Sequence, residues 1–162
     1  MKSMPFAAIV LAAGKGTRMR SDLPKVMHRL AGRPLIQHVL AALAPLAPRR
    51  TVVVLAPGME TVAAALPGTA IAIQREALGT GHATLAALPA LAGEPLDDVL
   101  VLFGDTPLLT TATLEAMLAE RRRAPEAAVV VLGMRPDDPA EYGRLVVADG
   151  MQIGRASCRE RV

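Results

Sequence analysis

The sequence predicts an α/β fold: an open, mixed but mostly parallel sheet with helices on both faces, incomplete at its C-terminus. Three observations predict it. Short runs of Val, Ile and Leu alternate with longer stretches of helical spacing, as in parallel strands joined by crossover helices. A Gly-rich turn, Gly14-Lys15-Gly16, follows the first apolar run. The least ordinary residues follow the first and fourth strands. These are neighbours in the common 3-2-1-4 order and flank the switch point where such sheets bind ligands.

Each element has its own signal. Pro5–Ala12 is a continuous apolar run, as expected of a strand covered on both faces. Pro34–Leu46 has helical spacing, with Pro34 near its start and Pro48 beyond its end. Thr51–Ala56 is a second buried strand, and Met59–Leu66 a short helix stopped by Pro67-Gly68. Thr69–Ile73 is a short third strand, His82–Leu91 a helix, and Asp98–Phe103 the fourth strand. Thr111–Arg122 is helical, Ala127–Gly133 is expected as a fifth strand, and Arg144–Ala148 as a strand leading to an Asp149-Gly150 turn. The whole reads as a Rossmann-like, doubly wound domain without internal repeats.

Composition narrows the function classes. The chain has 162 residues, 52% hydrophobic and 20% charged, enough to bury a core and to exclude global disorder. It has no apolar run of about 18 residues, so no membrane insertion is expected. The apolar start flows into a functional turn rather than a signal-peptide cleavage site, and a cytoplasmic location is expected. Residues 1–33 carry seven bases against the single acid Asp22, whereas residues 34–152 are net acidic. One basic pole on a near-neutral chain favours a small anionic ligand over a polyanion. With aromatics at 2%, residues to stack on bases are nearly missing, which weakens a nucleic-acid reading, and no nucleic-acid partner is expected. Arg121-Arg122-Arg123 ends a helical stretch and reads as a solvated helix terminus.

Ile153–Val162 reads IGRASCRERV, which resembles an in-frame translation of a sequencing-library adapter. It holds Cys158, the only cysteine, and three of the arginines. The division expected is a partial nucleotidyltransferase domain over residues 1–152 and a non-native tail over 153–162. On this reading the strand Arg144–Ala148 lacks later partners, and the tail supplies Arg and Cys rather than a strand.

The chemistry-bearing residues cluster in a few segments. In Leu11-Ala12-Ala13-Gly14-Lys15-Gly16-Thr17-Arg18 the small residues let a ligand approach the backbone. Gly14 and Gly16 can take positive φ, and exposed N–H groups can hold phosphate oxygens. Arg18 offers a fork of donors to the same phosphates. The spacing fits neither a P-loop nor the dinucleotide fingerprint. Pro24 fixes the path into Lys25, a cation well placed to neutralise a transferring phosphoryl group. Gln74 carries amide donors and an acceptor suited to the edge of a pyrimidine. The segment Leu78-Gly79-Thr80-Gly81-His82 also reads as a helix start capped by Thr80, with His82 in its first turn. His28 and His38 lack metal-ligand spacing and read as surface or packing residues. Asp105 lies just past the fourth strand, on the same sheet edge as Gly14, where a carboxylate can hold Mg²⁺.

LAAGKGTRM followed by SDLPKVMH resembles the sugar nucleotidyltransferases of the NTP-transferase superfamily, and within them the N-acetylglucosamine-1-phosphate uridylyltransferases. The segments QREALGTGHA, FGDTPL and Tyr142-Gly143-Arg144 resemble that family's nucleobase, metal and sugar segments. The resemblance covers about residues 6–152 and implies the fold of nucleotide-diphospho-sugar transferases. It implies a nucleotide site of Leu11, Ala12, Ala13, Gly14, Lys25, Gln74, Gly79, Thr80, Phe103, Gly104 and Asp105. Arg18 and Lys25 are implied as catalytic, Asp105 as the Mg²⁺ ligand, and Gly143 as a sugar contact. Phe103 stands where the resemblance leads one to expect tyrosine, keeping the packing and losing a hydroxyl. The implied partners are UTP and N-acetyl-α-D-glucosamine 1-phosphate, giving UDP-N-acetylglucosamine and pyrophosphate. Further sugar contacts, a second metal ligand and a trimer-forming acetyltransferase domain belong to the family downstream of Gly150, so the chain is expected to be truncated and inactive alone. The alternatives are a related transferase for another sugar phosphate or a molybdopterin, and a non-catalytic nucleotide-binding module.

Overall fold

The computed structural model describes residues 4–14, 16, 19–138 and 142–148, and the backbone of 151–156. Four parallel strands form one sheet in the order β5-β4-β1-β6, with β1 at Phe6–Leu11, β4 at Arg50–Leu55, β5 at Ala70–Ile73 and β6 at Asp98–Phe103. This is the expected 3-2-1-4 order. Every residue of β1 is buried, which is why it reads as an unbroken apolar run rather than an alternating one.

Helices cover both faces. On one, Ile36, Val39 and Leu43 of α1 (Leu35–Leu43), Val62 of α2 (Glu60–Ala64) and Leu114 and Leu118 of α4 (Thr111–Arg123) pack over Ala8, Val10, Val53 and Leu102. On the other, Ala83 and Ala87 of α3 (Thr80–Ala87) lie with Leu91 over Ile9, Val52 and Val54. Each fully buried Ile, Leu or Val contributes about 1.5–3 kcal/mol. The α3 side of β6 stays open: Val99, Val101 and Phe103 are exposed beside a helix that spans the neighbouring strands. Among the described residues no helix is long and apolar enough to cross a membrane.

Two helices end earlier than their apolar spacing predicts. α1 gives way to a 3₁₀ turn at Ala44–Leu46, and α3 to one at Leu88–Leu91. Pro45 and Pro89 are the second residues of these turns, where the missing N–H and the ring's clash with the preceding turn stop an α-helix. A hairpin not anticipated from sequence joins β2 (Arg29–Leu30) to β3 (Arg33–Pro34). Its two turn residues, Ala31 and Gly32, have φ of 48° and 79°, the left-handed pair that matches strand twist. His28 Nε2 donates to Leu23 O and His38 Nε2 to Leu30 O, so both rings brace this region.

The chain divides into two compact units, Met1–Ala119 and Glu120–Val162. In the second, Arg121 donates to the carbonyls of Ala124 and Pro125, and Arg123 pairs with Glu120, holding that carboxyl below its ordinary range. This agrees with a solvated helix end. The expected strand at Ala127–Gly133 does not form: the segment lies in no ladder, with Val129 and Val131 exposed. Val-rich segments become strands only against a partner and a covered face, and this one has neither. The strand Arg144–Ala148, here β7, pairs antiparallel with β8 (Met151–Ala156). Residues 153–156 thus supply the partner that the tail was expected not to supply. The Asp149-Gly150 turn and Cys158 lie outside the described residues.

Candidate functional site

The carboxyl ends of β1 and β6 open into a cleft of about 420 Å³. Its floor comes from β1 and the turn after it: Leu11, Ala12, Ala13 and Gly14. Gly14 is exposed, and a Cβ there would meet nothing within 4 Å, so the backbone is open to a ligand. Gly16 has φ of 60°, whereas Gly14 does not take positive φ, so only one of the two glycines is required by conformation. A Cβ on Gly16 would stand 2.8 Å from Lys25 Cβ. The turn therefore passes hard against Lys25, which enters the cleft from a 3₁₀ turn at Lys25–Met27 anchored by buried Val26.

Asp105 arrives from the other side of the switch point. The Gly104 N–H donates to Leu11 O at 2.9 Å, tying the end of β6 to the end of β1. A Cβ on Gly104 would lie 3.3 Å from Ala12 Cβ, Leu11 O and Val26 Cγ1. This close approach buries Gly104 and aims the next residue at the cleft. The Lys25 ammonium lies 2.5 Å from the Asp105 carboxylate, with 40% and 30% of the side chains exposed. Phe103, expected to keep a packing role, is instead 48% exposed and lines the cleft.

The third wall comes from β5 and α3. Gln74 follows β5, its N–H donating to Leu55 O, and it is buried. Gly79 caps α3 at φ 95°, a conformation open to glycine, and Thr80 begins the helix. Thr80 makes no side-chain cap, so the capping alternative is corrected: the N-cap is Gly79, and the helix starts two residues before His82.

Of the residues singled out for a nucleotide, Leu11, Ala12, Ala13, Gly14, Lys25, Gln74, Gly79, Thr80, Phe103 and Asp105 line this one cleft, and Gly104 lies beneath it. Arg18 lies outside the described residues. Gly143 belongs to the second unit, where it is exposed and lines a groove with Met134 and Leu145. Sequence reasoning missed Val26, Ala77 and Ala83, small or apolar wall residues that carry no chemical signal of their own. It also missed the hydrogen bond from Gln74 Nε2 to His82 Nδ1 at 3.2 Å. A broader groove of about 780 Å³, lined by Arg49, Arg50 and Pro67, lies at the opposite ends of the strands and holds none of these residues.

The arrangement offers backbone and a cation to phosphates, a carboxylate to a hard metal ion, and an amide to a nucleobase. No group of three or more His, Cys, Asp or Glu is gathered among the described residues.

The chain is similar to known proteins over most of its length. A family model, MobA-like NTP transferase domain, matches residues 8–155. The bifunctional protein GlmU of Paramagnetospirillum magneticum is 58% identical over 153 residues, covering 94% of this chain and 34% of that protein. GlmU of Rhodospirillum rubrum is 54% identical, covering 88% of this chain and 32% of its own. The chain spans about a third of the length of the curated relatives it matches. The crystal structure of mannose-1-phosphate geranyltransferase from Thermus thermophilus matches with a TM-score of 0.80 at 30% identity, covering 97% of this chain and 51% of that one. With the strand order and the cleft, these matches identify the chain as a member of the MobA-like NTP transferase family.

Proposed function

We propose that the chain carries the nucleotide side of a uridylyltransferase site, for UTP and N-acetyl-α-D-glucosamine 1-phosphate, yielding UDP-N-acetylglucosamine and pyrophosphate. One observation carries the reading: the open Gly14 backbone, the Lys25–Asp105 pair and buried Gln74 converge on a single cleft at the switch point of the sheet. The GlmU relatives and the family match support nucleotidyl transfer to a sugar phosphate.

The sugar phosphate is already an anion at neutral pH and needs no general base. One of its oxygens attacks the α-phosphorus of UTP, the bond from that phosphorus to the β-phosphate oxygen breaks, and pyrophosphate leaves with the electron pair. The protein's task is alignment and charge stabilisation. The Gly-rich turn positions the triphosphate. Lys25 offsets charge that builds on the α-phosphate and the leaving group, and Arg18 is assigned the same task. Gln74, with the backbone at Gly79 and Thr80, faces the base, and Gly143 is assigned to the sugar. Asp105 suits Mg²⁺ shared with phosphates: it is a single half-exposed carboxylate, and Mg²⁺ keeps waters and accepts one or two carboxylates beside phosphate oxygens. Held there, Mg²⁺ would supply neutralising charge to the triphosphate.

The test is pyrophosphate release by the protein that the complete gene encodes, across the four nucleoside triphosphates and several sugar phosphates. Release with UTP and N-acetylglucosamine 1-phosphate is expected. A strong preference for CTP or GTP rejects the uridylyl reading, and UTP binding without release points to a non-catalytic nucleotide module.

A further inference from the structure

Among the described residues Gln74 is the buried polar side chain of the first unit, 7% exposed, and its amide is held at two points. Nε2 donates to Gly79 O at 3.0 Å and contacts His82 Nδ1 at 3.2 Å. A carbonyl oxygen only accepts, so the amide nitrogen, not its oxygen, must face Gly79. Both protons of that nitrogen are then committed, the second to His82. Nδ1 of His82 must then present a lone pair, which assigns the ring proton to its Nε2 in this arrangement. Turning the amide over would set its oxygen against the Gly79 carbonyl. Among the described residues Oε1 has no donor, and no buried side-chain oxygen lacks a partner, so Oε1 is the part of Gln74 left accessible. The backbone fixes this arrangement. Gly79 at φ 95° presents its carbonyl, and the first turn of α3 brings in His82.

We infer that His82 is a positioning residue for nucleobase selection: by accepting from Gln74 Nε2 it holds the amide with Oε1 as the acceptor offered to the cleft. An acceptor there favours a base with a ring N–H, such as N3–H of uracil. It disfavours cytosine, whose N3 carries a lone pair that would face Oε1. The inference rests on the nucleotide reading of the cleft and adds a second acceptor that, beside Gly79 O, holds the polarity of its base-reading amide.

The experiment measures UTP and CTP binding by calorimetry to the protein encoded by the complete gene, as wild type, His82→Leu and His82→Asn. The wild type is expected to favour UTP by at least about tenfold, the scale of one hydrogen bond gained and one repulsion avoided. His82→Leu, which removes the acceptor, is expected to lose most of that ratio. His82→Asn, whose Oδ1 can accept near the place of Nδ1, is expected to retain it within about threefold. A ratio unmoved in His82→Leu overturns the inference alone, as does equal weakening of both nucleotides, the mark of a merely structural role. A wild type that prefers CTP, or binds neither, overturns the uridylyl reading together with it. If His82→Leu does not fold, ring ¹⁵N NMR of wild-type His82 decides. An unprotonated Nδ1 with a protonated Nε2 is expected, and a protonated Nδ1 overturns the inference.

Discussion

Lys25 Nζ lies 2.5 Å from the Asp105 carboxylate, joining the segment that follows β1 to the turn that follows β6. Both side chains keep a third or so of their surface in water, so the pair contributes at most about 1 kcal/mol to folding. Its placement matters more than its energy, because it sets one positive and one negative group side by side where a triphosphate would arrive. Lys25→Ala is therefore expected to shift the unfolding midpoint by only a few degrees and, if Lys25 offsets charge that develops in the transition state, to lower kcat more than it raises KM. Steady-state kinetics against UTP check this. A rise in KM with kcat unchanged would move Lys25 to ground-state binding.

Asp105→Asn keeps the shape of the side chain and removes its charge. If Asp105 holds the divalent cation, turnover should fall by roughly a thousandfold or more, in line with removing a principal electrostatic group from such a site. The circular dichroism spectrum and melting temperature should stay near those of wild type, since both partners of the lost pair keep a third or so of their surface in water. A near-normal rate at saturating Mg²⁺ would remove Asp105 from the metal site.

Leu114 separates the scaffold from the site. It is fully buried between α4 and the sheet and does not line the cleft. Leu114→Ala should destabilise the domain by about 2–5 kcal/mol, measured by urea unfolding, with nucleotide affinity unchanged below the unfolding transition. A loss of affinity as large as that from Lys25→Ala would mean that the cleft depends on α4 more than its packing indicates.

Much of this arrangement could be read from sequence because the signals were local. β1 and β6 are continuous apolar runs, and Gly14, Lys25 and Asp105 each follow a strand or a stiff turn, so strand order alone brings them to one edge. What escaped was set by distant partners or by backbone geometry. Ala127–Gly133 has the composition of a strand without a ladder to join. Pro45 and Pro89 shorten helices whose apolar spacing runs on past them. Gln74 and His82 are eight residues apart, and nothing in that spacing reveals a hydrogen bond created by the left-handed turn at Gly79.

Gly104, beneath the cleft, and Gly16, against Lys25, should respond differently to a methyl group. Gly104 has no left-handed φ, and its three neighbours stand at 3.3 Å: the Val26 side chain can give, Ala12 Cβ and Leu11 O are fixed by the backbone, and the contact is tight but half an ångström looser than at Gly16. Gly16 meets two obstacles at once. Its φ of 60° costs a non-glycine residue about 1–2 kcal/mol. Its new Cβ would also sit 2.8 Å from Lys25 Cβ, an atom fixed by the backbone that no rotamer can move. Relief requires shifting the Gly-rich turn away from Lys25, and displacements of this kind in a positioning element lower activity by around a hundredfold. Gly16→Ala is therefore expected to weaken UTP binding by more than tenfold and to cost about 1–3 kcal/mol in stability, with Gly104→Ala milder on both measures. Titration calorimetry and urea unfolding of the two variants side by side check the order. Wild-type affinity in Gly16→Ala would mean that the turn and Lys25 need not touch for the nucleotide to bind.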